Sequence, residues 1–257
     1  MKQIYKDILE SLDRYEKIAV VTIINANGST PRKGGAKMLV FPDESFLHSV
    51  GGGIFESIVI KDALGVLRNG KTVIKKYSFN QEGKYATGAI CGGQVEVMIE
   101  MITNTPDLLI VGGGHVGKAL AKAASLLDFS ITIVDDRKEY VDVNEPGLKI
   151  NRIHTPPDFS AIPKITENTY ICLVSKGCPT DEAALRRVIG SPAKYIGMIG
   201  SKKKVQTVYQ NMQADGFHPS LFERIHAPIG IDIGGDSPEE IAVSILAEII
   251  SIKNKKK

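Results

Sequence analysis

The clearest chemical signal lies in Leu108-Leu109-Ile110-Val111-Gly112-Gly113-Gly114-His115-Val116-Gly117, which spells G-x-G-x-x-G at Gly112, Gly114 and Gly117. An apolar run precedes it, and a helical stretch bearing Ala119, Ala121, Ala123 and Ala124 follows. In that setting each glycine has a task. Gly112 lets the chain turn tightly. Gly114 leaves the backbone N–H groups open to a diphosphate at a helix N-terminus, where the dipole favours negative charge. Gly117 lets helix and strand pack closely. Gly113 and His115 share the turn, and His115 reads equally as a ligand contact or as filler. The next apolar strand ends in Asp135-Asp136-Arg137, 18 residues beyond Gly117, near the ~20 expected of a dinucleotide site. Asp135 or Asp136 would accept from ribose hydroxyls. Arg137 would instead pair with a 2′-phosphate, so NAD and NADP both stay open. No catalytic acid with an orienting partner is visible, and the fold alone does not imply hydride transfer.

Other residues carry chemistry of a different kind. Arg32, Lys33 and Lys37 lie in or beside the loop Asn27-Gly28-Ser29-Thr30-Pro31-Arg32-Lys33-Gly34-Gly35. Such a loop offers cations and hydrogen-bond donors to an anion, or is simply solvated. Glu56 follows Gly51-Gly52-Gly53 and reads either as an acid near a ligand or as a helix-start carboxylate favoured by the dipole. Cys91 precedes Gly92 and Gly93, and neighbouring N–H groups in such a loop lower a thiol's pKa. Its alternative is a buried structural thiol. Cys172, inside Tyr-Ile-Cys-Leu-Val, reads as core. Cys178 follows that strand's C-terminal end, where open α/β sheets bind ligands. Lys202-Lys203-Lys204 opens a helix against its dipole, which suits an anionic partner or an exposed cationic turn.

The elements that must position these residues follow from periodicity. Residues 3–16 form an amphipathic helix through Ile4, Ile8, Leu12 and Tyr15. A β-branched strand spans 18–24, and two short strands flank the turn Pro42-Asp43-Glu44-Ser45. A helix at 54–68 and strands at 72–79 and 94–102 complete this half. Thr103-Asn104-Thr105-Pro106 breaks the pattern, giving domains at 1–104 and 105–257. The second half alternates strands at 108–111, 131–134, 150–153, 170–174 and 195–199 with helices at 115–127, 180–190 and 201–214. That rhythm predicts an α/β fold: a C-terminal Rossmann-like parallel sheet covered on both faces, beside a smaller N-terminal α+β domain. The last helix opens with Ser237 as N-cap, Pro238 in its first turn and Glu240 as capping-box partner. Ile241, Ile245 and Ile249 line its buried face.

Composition narrows the classes. At 257 residues, with 43% hydrophobic and 24% charged residues, the chain is too apolar for disorder. Of the net charge of +3, four positive charges lie in the last five residues and the remainder sums to −1. A nucleic-acid-binding face is therefore not expected. Three cysteines at irregular spacing give neither a zinc pattern nor a disulfide framework. No apolar run approaches the ~20 residues that span a bilayer, and the N-terminus lacks an apolar signal core. The expectation is a cytoplasmic protein without membrane attachment.

Taken in order, these motifs resemble the XdhC/CoxI family of molybdenum hydroxylase maturation factors. The resemblance rests on Gly28–Arg32, Gly51–Gly53 with Glu56, and Cys91-Gly92-Gly93 leading into Val95-Glu96-Val97. It continues through Gly112–Gly117, Val134–Arg137, Tyr195–Lys202, His226–Gly230, Asp232-Ile233-Gly234 and Ser237–Ala242. It implies a chaperone that binds molybdenum cofactor, assists its sulfuration and inserts it into a xanthine dehydrogenase or aldehyde oxidoreductase type apoenzyme. It further implies a cysteine desulfurase partner and a homodimer. Two positions depart from the family pattern: Ile54 stands where relatives often carry Cys or Arg, and Cys178 where they often carry His. Under this reading Cys91 is a soft ligand to molybdenum or a persulfide carrier, with Glu56 as an acid beside it. Arg32 meets the cofactor's phosphate, and the Gly112–Gly117 turn holds its nucleotide, in mononucleotide-like or cytosine dinucleotide form. Glycine loops of both domains are expected to face one cleft. The alternative is an NAD(P)-dependent oxidoreductase using the same turn.

Overall fold

The apolar run Ile18–Ile24 has no polar alternation, as expected of a strand covered on both faces. In the computed structural model, which describes residues 2–79, 92–143 and 145–254, that run is the core of β1 (Lys17–Asn27). The chain separates into two units, Met1–Asn104 and Thr105–Lys257.

In the first unit, β1 is the middle strand of an antiparallel sheet. Its companions are β2 (Lys37–Val40), β3 (Phe46–His48), β4 (Val73–Ser78) and β5 (Gln94–Thr103), in the order β3-β2-β1-β5-β4. Ala19, Val21 and Ile23 meet α2 (Gly53–Asn69) through Phe55, Val59, Ala63 and Val66. Ile18 and Val20 point the other way, toward Ile8 and Leu12 of α1 (Lys2–Leu12). The opening helix stops short of residue 16. Tyr15, which extends the helical period in the sequence, instead stacks on Phe41 with centroids 4.6 Å apart and donates to Asp43 Oδ2 at 2.9 Å.

The second unit is an all-parallel six-stranded sheet. Its strands are β6 (Asp107–Val111), β7 (Ser130–Asp135), β8 (Ile150–His154), β9 (Thr169–Leu173), β10 (Tyr195–Met198) and β11 (Ile225–His226). Their spatial order is β11-β10-β9-β6-β7-β8. The chain starts in the middle, runs outward to β8, then returns to pair β9 with the free side of β6. That reversal lies at the carboxyl ends of β6 and β9, the usual ligand position in such sheets. One face packs on α4 (Cys178–Val188) and α5 (Lys202–Ala214), the other on α3 (His115–Ala124) and α6 (Pro238–Asn254). Alternate residues of β6 serve the two cores: Leu109 and Val111 one, Leu108 and Ile110 the other. Cys172 is fully buried, and burial pushes its thiol pKa up. β11 is too short to show any period in the sequence, and it is the one strand of this sheet that periodicity does not predict.

Candidate functional site

The glycine turn after β6 has the geometry that its spacing predicts. Gly112 adopts φ +111°, and a Cβ there would stand 2.7 Å from Ser175 Cα. At Gly117 a Cβ would lie 1.9 Å from the Gly112 carbonyl oxygen, so only glycine lets α3 pack on β6. Gly113 rests on Tyr140, whose Cβ would be 2.9 Å from an added Cβ. Gly114 differs from all three: nothing lies within 4 Å of a Cβ built on it. It is the N-cap of α3, with no side-chain cap. The first N–H groups of a helix lack intrahelical acceptors, so this end presents donors and the positive end of the dipole to open space. The arrangement suits a phosphate or diphosphate. His115 is exposed on the first turn of α3, beside that space.

The acids at the end of β7 are arranged less simply. Asp135 is 2% exposed and its two oxygens face inward to the chain's own donors. Oδ2 accepts from Gly113 N–H at 2.7 Å and Arg137 Nη2 at 3.0 Å. Oδ1 accepts from Arg137 N–H at 2.9 Å and Nε at 3.0 Å. Burial raises the carboxyl's pKa, but the Arg137 and Gly113 donors outweigh it and hold it below the usual range. Arg137 also lies over the Tyr140 ring, 3.9 Å from its centroid. Of the two acids expected to read a ribose, Asp135 is thus spent on bracing the glycine turn, and the Arg137 guanidinium is paired with it. Asp136 is the more exposed of the two, 21% at its side chain, and its Oδ1 lies 3.8 Å from Arg137 Nε.

In the first unit, three separated glycine motifs meet. A Cβ on Gly51 would touch Pro31 at 2.8 Å, and one on Gly93 would fall 2.1 Å from the Ser29 carbonyl oxygen. Ser29 and Gly92 form a parallel bridge, and Phe79 and Gly92–Gly93 exchange backbone hydrogen bonds at 2.8 Å. Gly52, Gly53 and Gly92 have open space where a side chain would be. Arg32 is exposed on this loop cluster, its guanidinium unpaired among the described residues. Glu56 is buried, and its Oε2 accepts from Ser49 Oγ (2.6 Å), Val50 N–H (3.1 Å) and Gly52 N–H (3.2 Å). Of the two roles open to it, this geometry matches the helix-start carboxylate that ties down the loop before α2. Cys91 lies outside the described residues.

Cys178 opens α4 and packs, half-buried, against the core beneath α4 and α5. Among the described residues no three or more His, Cys, Asp or Glu side chains cluster as a metal site. No helix of the described residues is long and apolar enough to cross a membrane. One participant in the turn carries no motif. Tyr140 closes the short 3-10 helix Lys138–Tyr140, and no spacing in the sequence marks it as a support of the turn.

Residues 108–249 match the model of the XdhC Rossmann domain, and residues 11–78 that of the XdhC and CoxI family. The uncharacterized protein YqeB of Escherichia coli strain K12 is 32% identical over 238 residues, covering 92% of this chain and 43% of YqeB. A Bacillus subtilis protein named as a probable component of xanthine dehydrogenase is 26% identical over 161 residues, 62% of this chain and 46% of that protein. The chain thus spans less than half the length of either relative. A solved structure of a xanthine dehydrogenase from Bacillus halodurans shares the fold, with TM-score 0.53 and 20% identity over 98% of this chain and 96% of that one.

Proposed function

The chain belongs to the XdhC and CoxI family, and from that membership we propose that it is an accessory factor in maturation of a xanthine dehydrogenase type molybdoenzyme. In this reading it binds molybdenum cofactor, assists its sulfuration and passes it to the apoenzyme, working with a cysteine desulfurase and as a homodimer. The observation that carries the reading is the side-chain-free space at Gly114 over the uncapped start of α3, a cradle that fits a phosphate-bearing ligand. The Gly112–Gly117 turn would hold the cofactor's diphosphate, with His115 and Asp136 beside it. In the first unit, the open glycine loops and Arg32 offer an anion-binding surface of their own, and Cys91 is the proposed thiolate ligand. Bound there, the cofactor supplies the molybdenum and the phosphate tail, while the chain's own groups bind, orient and shield it.

The oxidoreductase alternative needs an acid free to accept from a ribose; Asp135 is engaged by Arg137 and Gly113, which leaves that task to Asp136. The test is to load the purified chain with molybdopterin and read the retained pterin as its fluorescent oxidation product. Retention that falls with Arg32→Ala, together with rescue of an apo-hydroxylase, is the expected result. A chain that retains no pterin but sustains NADH or NADPH turnover would refute the reading.

A further inference from the structure

Where the parallel sheet reverses, loops leave the strand ends side by side. Val174 N–H donates to the Val111 carbonyl at 2.8 Å, and Ile199 N–H to the Leu173 carbonyl at 2.9 Å. The ladder thus continues past each strand. Into this junction α4 brings Asp181, a carboxylate with no exposed surface. Its Oδ1 accepts from Ser175 N–H at 3.0 Å and from the Ser175 hydroxyl at 2.5 Å. Its Oδ2 accepts from the Lys204 ammonium, in an ion pair. Lys204 also donates to the Ile199 carbonyl at 3.1 Å, and its stem passes so close to Gly200 that a Cβ there would lie 2.6 Å from Lys204 Cδ.

Ser175 is also the residue on which Gly112 turns. One buried carboxylate therefore ties the loop after β9 to the first turn of α5, and the glycine turn leans on that loop. Burial pushes the Asp181 carboxyl above the usual range, with Lys204 and Ser175 drawing it back. A buried ion pair seldom adds stability over apolar side chains of the same volume, so its place beneath the glycine turn calls for another role.

We infer that Asp181 and Lys204 are positioning residues for the anion-binding turn, holding Gly112–Gly114 through Ser175 in the geometry that presents its N–H groups. This rests on the reading of that turn as a diphosphate site. The double variant Asp181→Leu/Lys204→Met removes both charges while keeping the branching and length of the two side chains; because Ser175 loses its acceptor, its thermal midpoint should fall by a few degrees while the chain stays folded. Amide hydrogen exchange at residues 112–117 should rise about tenfold, with Val20 and Val21 of the first unit unchanged. Cytidine diphosphate, adenosine diphosphate and inorganic pyrophosphate, titrated as probes, should each bind about tenfold more weakly, because the loss lies in the shared phosphates. Asp181→Asn keeps an acceptor for Ser175 and should lose less; Ser175→Ala, the milder change, supplies the exchange comparison if the double variant does not fold. Unchanged exchange at 112–117 in the folded variant overturns the inference. If the parent binds none of the three probes, the diphosphate reading falls, and the exchange comparison still decides whether the pair holds the turn.

Discussion

Glycines at neighbouring positions of one turn do different work, and substitution separates them. Gly117 has a backbone oxygen 1.9 Å from where a Cβ would go, so Gly117→Ala forces α3 off β6. It should cost about 3 kcal/mol or more, seen as a lowered denaturation midpoint for the second unit. Gly114 has nothing within 4 Å and a negative φ of −69°. Gly114→Val should therefore fold with nearly parental stability while filling the space proposed for the diphosphate, cutting pyrophosphate affinity by about tenfold or more. Equal affinity in the Val variant would move the ligand elsewhere. These roles are legible in the sequence because spacing alone dictates them. The role of Asp135 is not. Its position at the end of β7 marks it, with Asp136, as a candidate ribose acceptor, but whether it is free depends on where the Arg137 side chain lies. In the sequence Arg137 reads as a competing ligand contact; in the structure it is the partner of Asp135. Asp181 and Lys204 are less legible still, since a contact across 23 residues exists only after β10 has been laid beside β9.

Elements with a strong local signal are legible nearly to the residue. Helix α6 begins where the capping box places it: Glu240 N–H donates to Ser237 Oγ at 3.2 Å, and Glu240 Oε2 accepts from Ser237 N–H at 3.0 Å. The same carboxylate accepts from Asp236 N–H at 3.1 Å, and the Ser237 and Asp236 donors lower its pKa. Ser237→Ala should cost about 1 kcal/mol. For a unit of this size that is a drop of about 2–4 °C in thermal midpoint by circular dichroism, and no drop would mean the box is not formed in solution. Helix α3 shows the contrast. With Gly114 at its N-cap and no side chain serving it, it forgoes the stabilisation that α6 takes, which is the arrangement expected where the missing acceptor is a ligand. Helix ends without caps are harder to place. The apolar period carries α3 to residue 127, but the chain leaves the helix at Ser125, whose hydroxyl donates back to the Lys122 carbonyl at 2.7 Å. β11 and the short 3-10 helices Lys138–Tyr140 and Pro219–Arg224 lack the length to display a period.

At the scale of the whole molecule, the question is whether the two units need one another to fold. Each has its own sheet and its own apolar cores. Ala19, Val21, Ile23 and the α2 residues close one in the first unit, while the two faces of β6 and β9 close a pair in the second. The second unit, of about 150 residues, is of a size that buries about two thirds of its chain's surface without help. Its glycine turn, the Asp135–Arg137 brace and the Asp181–Lys204 pair all lie between residues 105 and 257. A chain beginning at Thr105 should therefore unfold as a cooperative unit, keep the exchange protection of residues 112–117 and bind pyrophosphate within about threefold of the full chain. The proposed cofactor asks more, because Arg32 and Cys91 belong to the first unit; the truncated chain should lose pterin retention while keeping the phosphate probe. Pterin held equally by both chains would place the whole cofactor site in the second unit and remove Arg32 and Cys91 from it. Loss of pyrophosphate as well would show that the turn depends on the first unit, which its hydrogen bonds give no reason to expect.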